Sequence, residues 1–553
     1  MPPKSRNFIK PKPKSKAKPP EPQSENDFLE AADEFEQAAG KWRAGDAAKA
    51  TRFFHRAIDT YNEGLRRYPR SFDLAYNKAN IEFSMTEDER IVSQLGNKIA
   101  LLEETLNSHR FAMSLNPTNT DILFNAAQVL ASLAEASLES GTQEASKGTA
   151  RALLEEAVDI FTKCLENQQR EYEQIQAEIA RAQASGEDQE AWEGGVSLDS
   201  TQSATDQAEE ASSSSEALGD WATVEEPLTP ETILETCTAQ LGALTTLLGL
   251  YDPSDLASIA KRAHDGTDTA TAKIPALITL IDNTPSPPGK IQPKAGPMLS
   301  IGASAVEEAT TTPKDDAILA TANFQTTIAE VSYRSGRSES TQYAQTIEQL
   351  FSKIANSTDG PASSELAVAN IRSSYADALI DLASALADGT QYTPTAPTFA
   401  TDIEMQWTAL TSAQTILTQL ASVPYASILS ASRLADIFLA RGDVDLFRFR
   451  IGLFESAKPA WVKSRPVLVG NAGVFYRGAR SYAEKAGAAE ARGTADAKAI
   501  VAEILNEVAS ASHEANKAHW KGRGVHVARV LEQMVQEGIV GRENVERVLH
   551  ATA

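Results

Sequence analysis

Metal ligation and nucleophilic catalysis draw first on histidine and cysteine, and this chain holds seven of the former and two of the latter. His55, His109, His264, His513, His519, His526 and His550 are scattered, and none stands at ligand spacing from a nearby acid or cysteine. His513 and His519 are six residues apart, which suits neither a zincin helix nor a zinc finger. Cys164 and Cys237 cannot build a disulfide framework or a cysteine-rich zinc site, and they point to a reducing compartment. No Gly-x-Ser-x-Gly or Walker-type run is present, and no convincing strand precedes a glycine-rich loop. The expectation is a non-enzymatic protein with no cofactor, no metal and no small-molecule substrate. An enzyme would require a cluster of perturbed acids and histidines assembled only by the fold.

The remaining chemistry is charge. The chain carries 75 acidic and 52 basic residues, giving a net charge of −23 and a pI near 4.9. Such a molecule repels nucleic acid and anionic membrane and attracts basic proteins, although an acidic balance also serves solubility. The charges are unevenly placed. Between Arg181 and Lys261 there is no Lys or Arg, while Glu187, Asp188, Glu190, Glu193, Asp199, Asp206, Glu209, Glu210, Glu216, Asp220, Glu225 and Glu226 lie among Ser, Thr, Gln and Gly. Residues 185–228 therefore read as an acidic disordered linker. Within it, Trp221 and Val224 are flanked by acids and form a candidate linear motif, suited to strand addition on a partner's sheet edge or to folding back on the chain. The start is opposite in sign. Lys4, Arg6, Lys10, Lys12, Lys14, Lys16 and Lys18 are interspersed with prolines, so residues 1–25 are expected to be a disordered Lys/Pro-rich tail, either an import signal or a solubilising extension.

The elements that must carry these charges are helices. From Asn26, the residues Phe28, Ala31, Ala32, Phe35, Ala38, Ala39 and Trp42 recur at helical spacing, and Gly45-Asp46 breaks the run. Two helix starts of one kind follow two prolines: Tyr76-Asn77 with Ala79 and Asn80 after Pro69, and Phe124-Asn125 with Ala127 and Gln128 after Pro117. Ala50, Phe54 and Ala57 mark the partner helix of the first unit, and Ala157, Phe161 and Cys164 that of the third. Cys164 is thus expected in the core. Thr229-Pro230-Glu231 reads as a helix start, with a hydroxyl cap and proline at the first helical position. Further helices are expected to about residue 515, among them a pair filling 254–282 and a turn at Arg441-Gly442-Asp443. Two short amphipathic helices around Gly541 close the chain as a cap. No apolar run approaches the ~20 residues needed to span a bilayer, so a cytoplasmic or nuclear location is expected.

These spacings resemble the tetratricopeptide repeat, whose unit is two antiparallel helices of about 34 residues. The likeness covers residues 26–184. It implies an all-α, right-handed solenoid, continued by helices at 229–283, interrupted by a Pro-rich linker at 284–313, and completed by a divergent helical-repeat domain at 314–553. It also implies that first-helix side chains line a concave surface, which nominates Asn77, Asn80, Glu82, Asn125 and Gln128 for partner binding. The carboxylate clamp by which some members hold chaperone tails is not made. Phe35 and Ala39 occupy the first two clamp positions, Asn77 fits, and Asp121 and Asn125 stand where Lys and Arg belong. The implied function is a protein-interaction scaffold or adaptor, extending to an escort chaperone for a basic client such as a ribosomal protein. The alternative is a structural subunit of a larger multiprotein complex.

Overall fold

The computed structural model of the protein describes residues 21–140, 144–185, 228–283, 311–356, 364–389, 392–509 and 517–553. The basic tail to residue 20, almost all of the acidic linker including Trp221 and Val224, and the proline-rich stretch 284–310 lie outside the described residues. The described chain is all-α, a succession of helix hairpins in helical-repeat fashion. It divides into two compact units, residues 1–125 and 126–553.

The first unit holds α1 (Glu25–Arg43), α2 (Ala47–Arg67), α3 (Phe72–Thr86), α4 (Glu89–Leu95) and α5 (Lys98–Leu115), and the boundary falls inside α6 (Thr120–Ser140). Polar caps set the helix starts. Ser24 and Asp27 form a capping box on α1, Asp46 caps α2 through the Lys49 N–H, and Ser71 caps α3 through the Leu74 N–H. Each such cap contributes about 1 kcal/mol. The α1–α2 hairpin closes on Phe28, Ala32 and Ala39 against Ala50, Phe54, Ala57 and Tyr61. Gly64 permits the close approach, since a Cβ there would stand 3.1 Å from Phe28 and 3.0 Å from Leu74. Trp42, expected on the buried face, is instead 41% exposed, with the Lys49 ammonium 3.1 Å from its ring centroid.

The second unit continues with α7 (Glu144–Ser185), α8 (Pro230–Leu250), α9 (Leu256–Asp268), α10 (Ile274–Asn283), α11 (Pro313–Arg334), α12 (Ser340–Asn356), α13 (Glu365–Asp388) and α14 (Phe399–Leu420). It ends with α15 (Tyr425–Ile428), α16 (Ala431–Ile451), α17 (Pro459–Ala486), α18 (Ala489–Glu507), α19 (Lys517–Trp520), α20 (Gly524–Gln536) and α21 (Arg542–Thr552). Its core includes Phe161, Cys164, Phe324, Tyr343, Phe399, Phe447 and Tyr476, all essentially inaccessible to solvent. Ala157, Phe161 and Cys164 are buried together as their spacing predicts.

Three further expectations are corrected. The Arg441-Gly442-Asp443 turn does not exist, because α16 runs unbroken through it. Gly442 serves packing instead: a Cβ there would lie 2.4 Å from the Tyr476 ring, so glycine lets α17 approach. The helix pair at 254–282 is one bent helical run, with a five-residue π-turn, Thr269–Lys273, between α9 and α10. A π-turn of this kind is a single turn inserted in an α-helical run. Here Thr269 is buried and donates to Gln240 Oε1 at 2.7 Å, while Gln240 Nε2 donates to Thr162 at 2.9 Å. Finally, α8 is long and apolar enough by length and composition to cross a membrane, contrary to the sequence reading. In this fold it packs between α7 and α11, with Leu234, Leu241, Leu244 and Leu247 fully buried.

Candidate functional site

Four of the five nominated helix residues belong to the first unit. Asn80 on α3 accepts a hydrogen bond from Asn125 Nδ2 at 2.9 Å, and the half-buried Tyr76 phenol lies against both amides. The two asparagines thus hold neighbouring helices in register. Asn77 is half-buried on the same helix. Glu82 differs from the others. It is buried, pairs with Lys78 at 3.0 Å, and lies beside Ser108 of α5, to which Lys78 donates at 2.9 Å. Burial raises its carboxyl above the ordinary range, and Lys78 opposes that shift. Gln128, half-buried on α6, belongs to the second unit.

The second unit carries a feature that motif reading missed, a set of carboxylates from several helices that act on one another electrostatically. Asp377 and Asp381 project from one face of α13, four residues apart. Glu330 and Arg334 of α11 and Glu537 after α20 act electrostatically on Asp381, and Arg433 and Asp436 of α16 on Asp377. Glu537 in turn faces Asp443 of α16 and Lys498 of α18. Asp377, Asp381 and Asp436 keep solvent-exposed surface, yet protein crowds them closely enough to desolvate their charges.

The cations present are largely committed. Arg334 Nε binds Glu330 at 2.7 Å and its Nη1 binds Asp388 at 2.9 Å. Lys498 Nζ sits 2.9 Å from both oxygens of Asp443, which also accepts from the Tyr476 hydroxyl at 2.7 Å. Asp377 and Asp381 accept no hydrogen bond from a described residue. Desolvation, reinforced by Glu330, Asp377 and Glu537 against the pull of Arg334, pushes Asp381 up to about 8. Desolvation and Asp436, opposed by Arg433, push Asp377 up to about 6. Tyr343 of α12 is 1% exposed, its hydroxyl has no hydrogen-bond partner, and the charges of Glu330, Asp381 and Arg334 act on it. Among the described residues no group of three or more His, Cys, Asp or Glu side chains has the arrangement to hold a metal ion.

A signal for this set of carboxylates was present in the sequence. Asp377, Asp381 and Asp388 share one face of an otherwise Ala- and Leu-rich helix, and Asp436 and Asp443 repeat at seven residues along α16. Acids repeated on one stripe of otherwise apolar helices mark a face turned toward polar surroundings, but only the fold brings the stripes together.

No family model matches the chain. A stretch of 110 residues, 20% of the chain, is 30% identical to a Schizosaccharomyces pombe protein named UPF0656 protein C926.02. The match spans 24% of that relative's length. Two solved structures are similar at low sequence identity. One is a circular tandem repeat protein with a novel repeat topology and enhanced subunit contact surfaces, at 14% identity and a TM-score of 0.27, covering 96% of this chain and 99% of that one. The other is Naa15/Naa10 bound to HypK-THB, at 12% identity and a TM-score of 0.13, covering 86% of this chain and 66% of that one. Scores this low assign no fold, and the helical-repeat architecture rests on the chain's own helices and their packing.

Proposed function

We propose that the protein is a non-enzymatic scaffold of the tetratricopeptide type whose second unit receives a basic polypeptide segment along these carboxylates. The observation that carries this reading is the pair Asp377 and Asp381, which are crowded by protein, open to solvent and without a hydrogen-bonded cation. Carboxylates held in partly desolvated surroundings interact more strongly with an arriving cation than the same groups on an open surface. The net charge of −23 adds long-range attraction for the same class of partner. An escort role for a basic client, such as a ribosomal protein, in cytoplasm or nucleus is the form of this function that best uses these carboxylates.

A second reading, a structural subunit of a larger complex, is favoured by a different observation. Val467 and Val474 stand seven residues apart on one face of α17 and are 62% and 55% exposed. Exposed apolar residues on one helix face are material for an interface.

The test is affinity purification of the tagged full chain from its native extract at low and moderate salt. Alongside it run an Asp377→Asn/Asp381→Asn variant and a deletion of residues 185–228. A basic protein that co-purifies, weakens with salt and is lost from the Asp377→Asn/Asp381→Asn variant supports the escort reading. Partners that persist in salt and with the variant, but fall away from a Val467→Ser/Val474→Ser chain, support the subunit reading.

A further inference from the structure

The Arg-Gly-Asp triplet of α16 leaves one member without a partner. Gly442 lets Tyr476 approach and Asp443 holds Lys498, whereas Arg441 makes no hydrogen bond or ion pair among the described residues. Its half-buried guanidinium lies over two phenylalanines, with Cζ 4.0 Å from the Phe475 ring centroid and 5.2 Å from that of Phe438. The Nε atom is buried without an acceptor. Asp445, one turn further along α16, acts on Arg441 only through its charge, because its carboxylate is engaged by Arg448 at 3.3 Å. Stacking occupies the faces of a guanidinium and leaves its N–H edge available.

The aromatic bed under this cation belongs to an open helix face. Val467, Asn471, Val474, Phe475, Gly478 and Tyr482 recur at helical spacing on one stripe of α17 about 22 Å long, and none is charged. Val467 and Val474 are exposed, and Phe438, Phe475 and Tyr482 are each partly exposed. Packing fixes the aromatic part. The Phe438 ring centroid stands 6.4 Å from that of Phe475 and 5.2 Å from that of Tyr482, and a Cβ at Gly478 would lie 2.7 Å from the Phe438 ring. Arg441 therefore supplies a positive charge held in place part-way along an uncharged strip.

We infer that this face of α17 docks an amphipathic helix of a partner protein whose apolar side carries one Asp or Glu, and that Arg441 binds that carboxylate. The face is the one read above as an interface with other subunits, and the inference rests on that reading. Apolar anchors at i, i+3, i+4 and i+7 are how a helix seats on such a strip. Charge decides what else it carries. A carboxylate satisfies the free edge of a guanidinium with charge-assisted hydrogen bonds, and does so more strongly where protein has already displaced water. A segment rich in cations is turned away by Arg441 itself. A segment rich in acids is repelled by the net charge of −23, so the acid stands alone among apolar residues. An arginine set in apolar and aromatic surroundings is also the kind of residue on which interface affinity concentrates.

The test is titration of the full-length protein with two labelled helical peptides, one bearing a single Glu among leucines at three- and four-residue spacing and a twin with Gln in its place. The Glu peptide should bind about tenfold more tightly. Arg441→Gln should bring the ratio toward one, and Arg441→Lys, which keeps the charge and loses the planar fork, should retain part of it. Val467→Ser/Val474→Ser should weaken both peptides about fivefold or more. The peptides differ while the protein does not, so the ratio in the unaltered chain decides the matter even where a variant fails to fold. Equal affinities, or a Glu preference untouched by Arg441→Gln, would overturn the carboxylate pairing and leave the interface reading standing. Failure of both peptides to bind, or binding indifferent to the serine pair, would overturn the pairing and the interface reading together.

Discussion

Lys498 Nζ lies 2.9 Å from both carboxylate oxygens of Asp443, and Lys498 is only 3% exposed. This pair ties α16 to α18, and the Tyr476 hydroxyl of α17 completes it. Removing one member of a buried pair leaves the other charge without compensation, at a cost of about 3 kcal/mol. Lys498→Met is therefore expected to lower the thermal midpoint by several degrees. The double variant Asp443→Asn/Lys498→Met should recover part of the loss. Full stability in the single variant would mean that solvent screens the pair.

Two glycines should respond oppositely to alanine. At Gly442 the new methyl would stand 2.4 Å from the Tyr476 ring, and overpacking of this kind costs about 1–3 kcal/mol. At Gly242, exposed in mid-α8, nothing lies within 4 Å of the added Cβ. Gly242→Ala should stabilise by about 0.5–1 kcal/mol through helix propensity. Denaturant midpoints of the two variants check both signs.

The raised carboxyl of Asp381 gives stability a pH dependence with a definite sign. In the unfolded chain it ionises near its ordinary value of 3.8, and in the fold near about 8. Across that window the unfolded state loses its proton first, so the group makes the fold progressively less stable as pH rises and reaches its full penalty above pH 8. Asp381→Asn should match the unaltered protein at pH 4 and exceed it in stability at pH 8.5. Thermal melts across that range, with identical pH slopes for the two proteins, would refute the assignment.

The asparagine network of the first unit separates structure from binding. Asn125→Ala deletes the 2.9 Å bond to Asn80 and is expected to cost about 1 kcal/mol of stability. It should leave basic-peptide affinity unchanged, as measured by anisotropy. A large loss of affinity in the folded variant would return the binding role to the first unit.

The helices of residues 26–184 were legible because their information is local. Phe28, Ala32 and Ala39, and likewise Ala157, Phe161 and Cys164, sit at spacings that fix one buried face, and beyond them the cap at Thr229 is a single-residue signal. Gly442 was read as a turn because glycine breaks helices in isolation, whereas here the need for close approach by Tyr476 outweighs propensity. The set of carboxylates was hidden for a related reason. Glu330, Asp381 and Glu537 are far apart in sequence, and their shared field exists only once α11, α13 and α20 have packed. Glu82 shows the converse, since a position nominated by repeat geometry is withdrawn into a buried pair with Lys78.

The most direct measurement of the central claim is the affinity of the full chain for a labelled arginine-rich peptide at low and moderate salt, compared with an Asp377→Asn/Asp381→Asn/Asp436→Asn variant shown to be folded by its circular dichroism. The account predicts salt-sensitive binding that weakens at least tenfold in the variant, with no binding of a glutamate-rich control. Equal affinity of the two proteins for the basic peptide would contradict it.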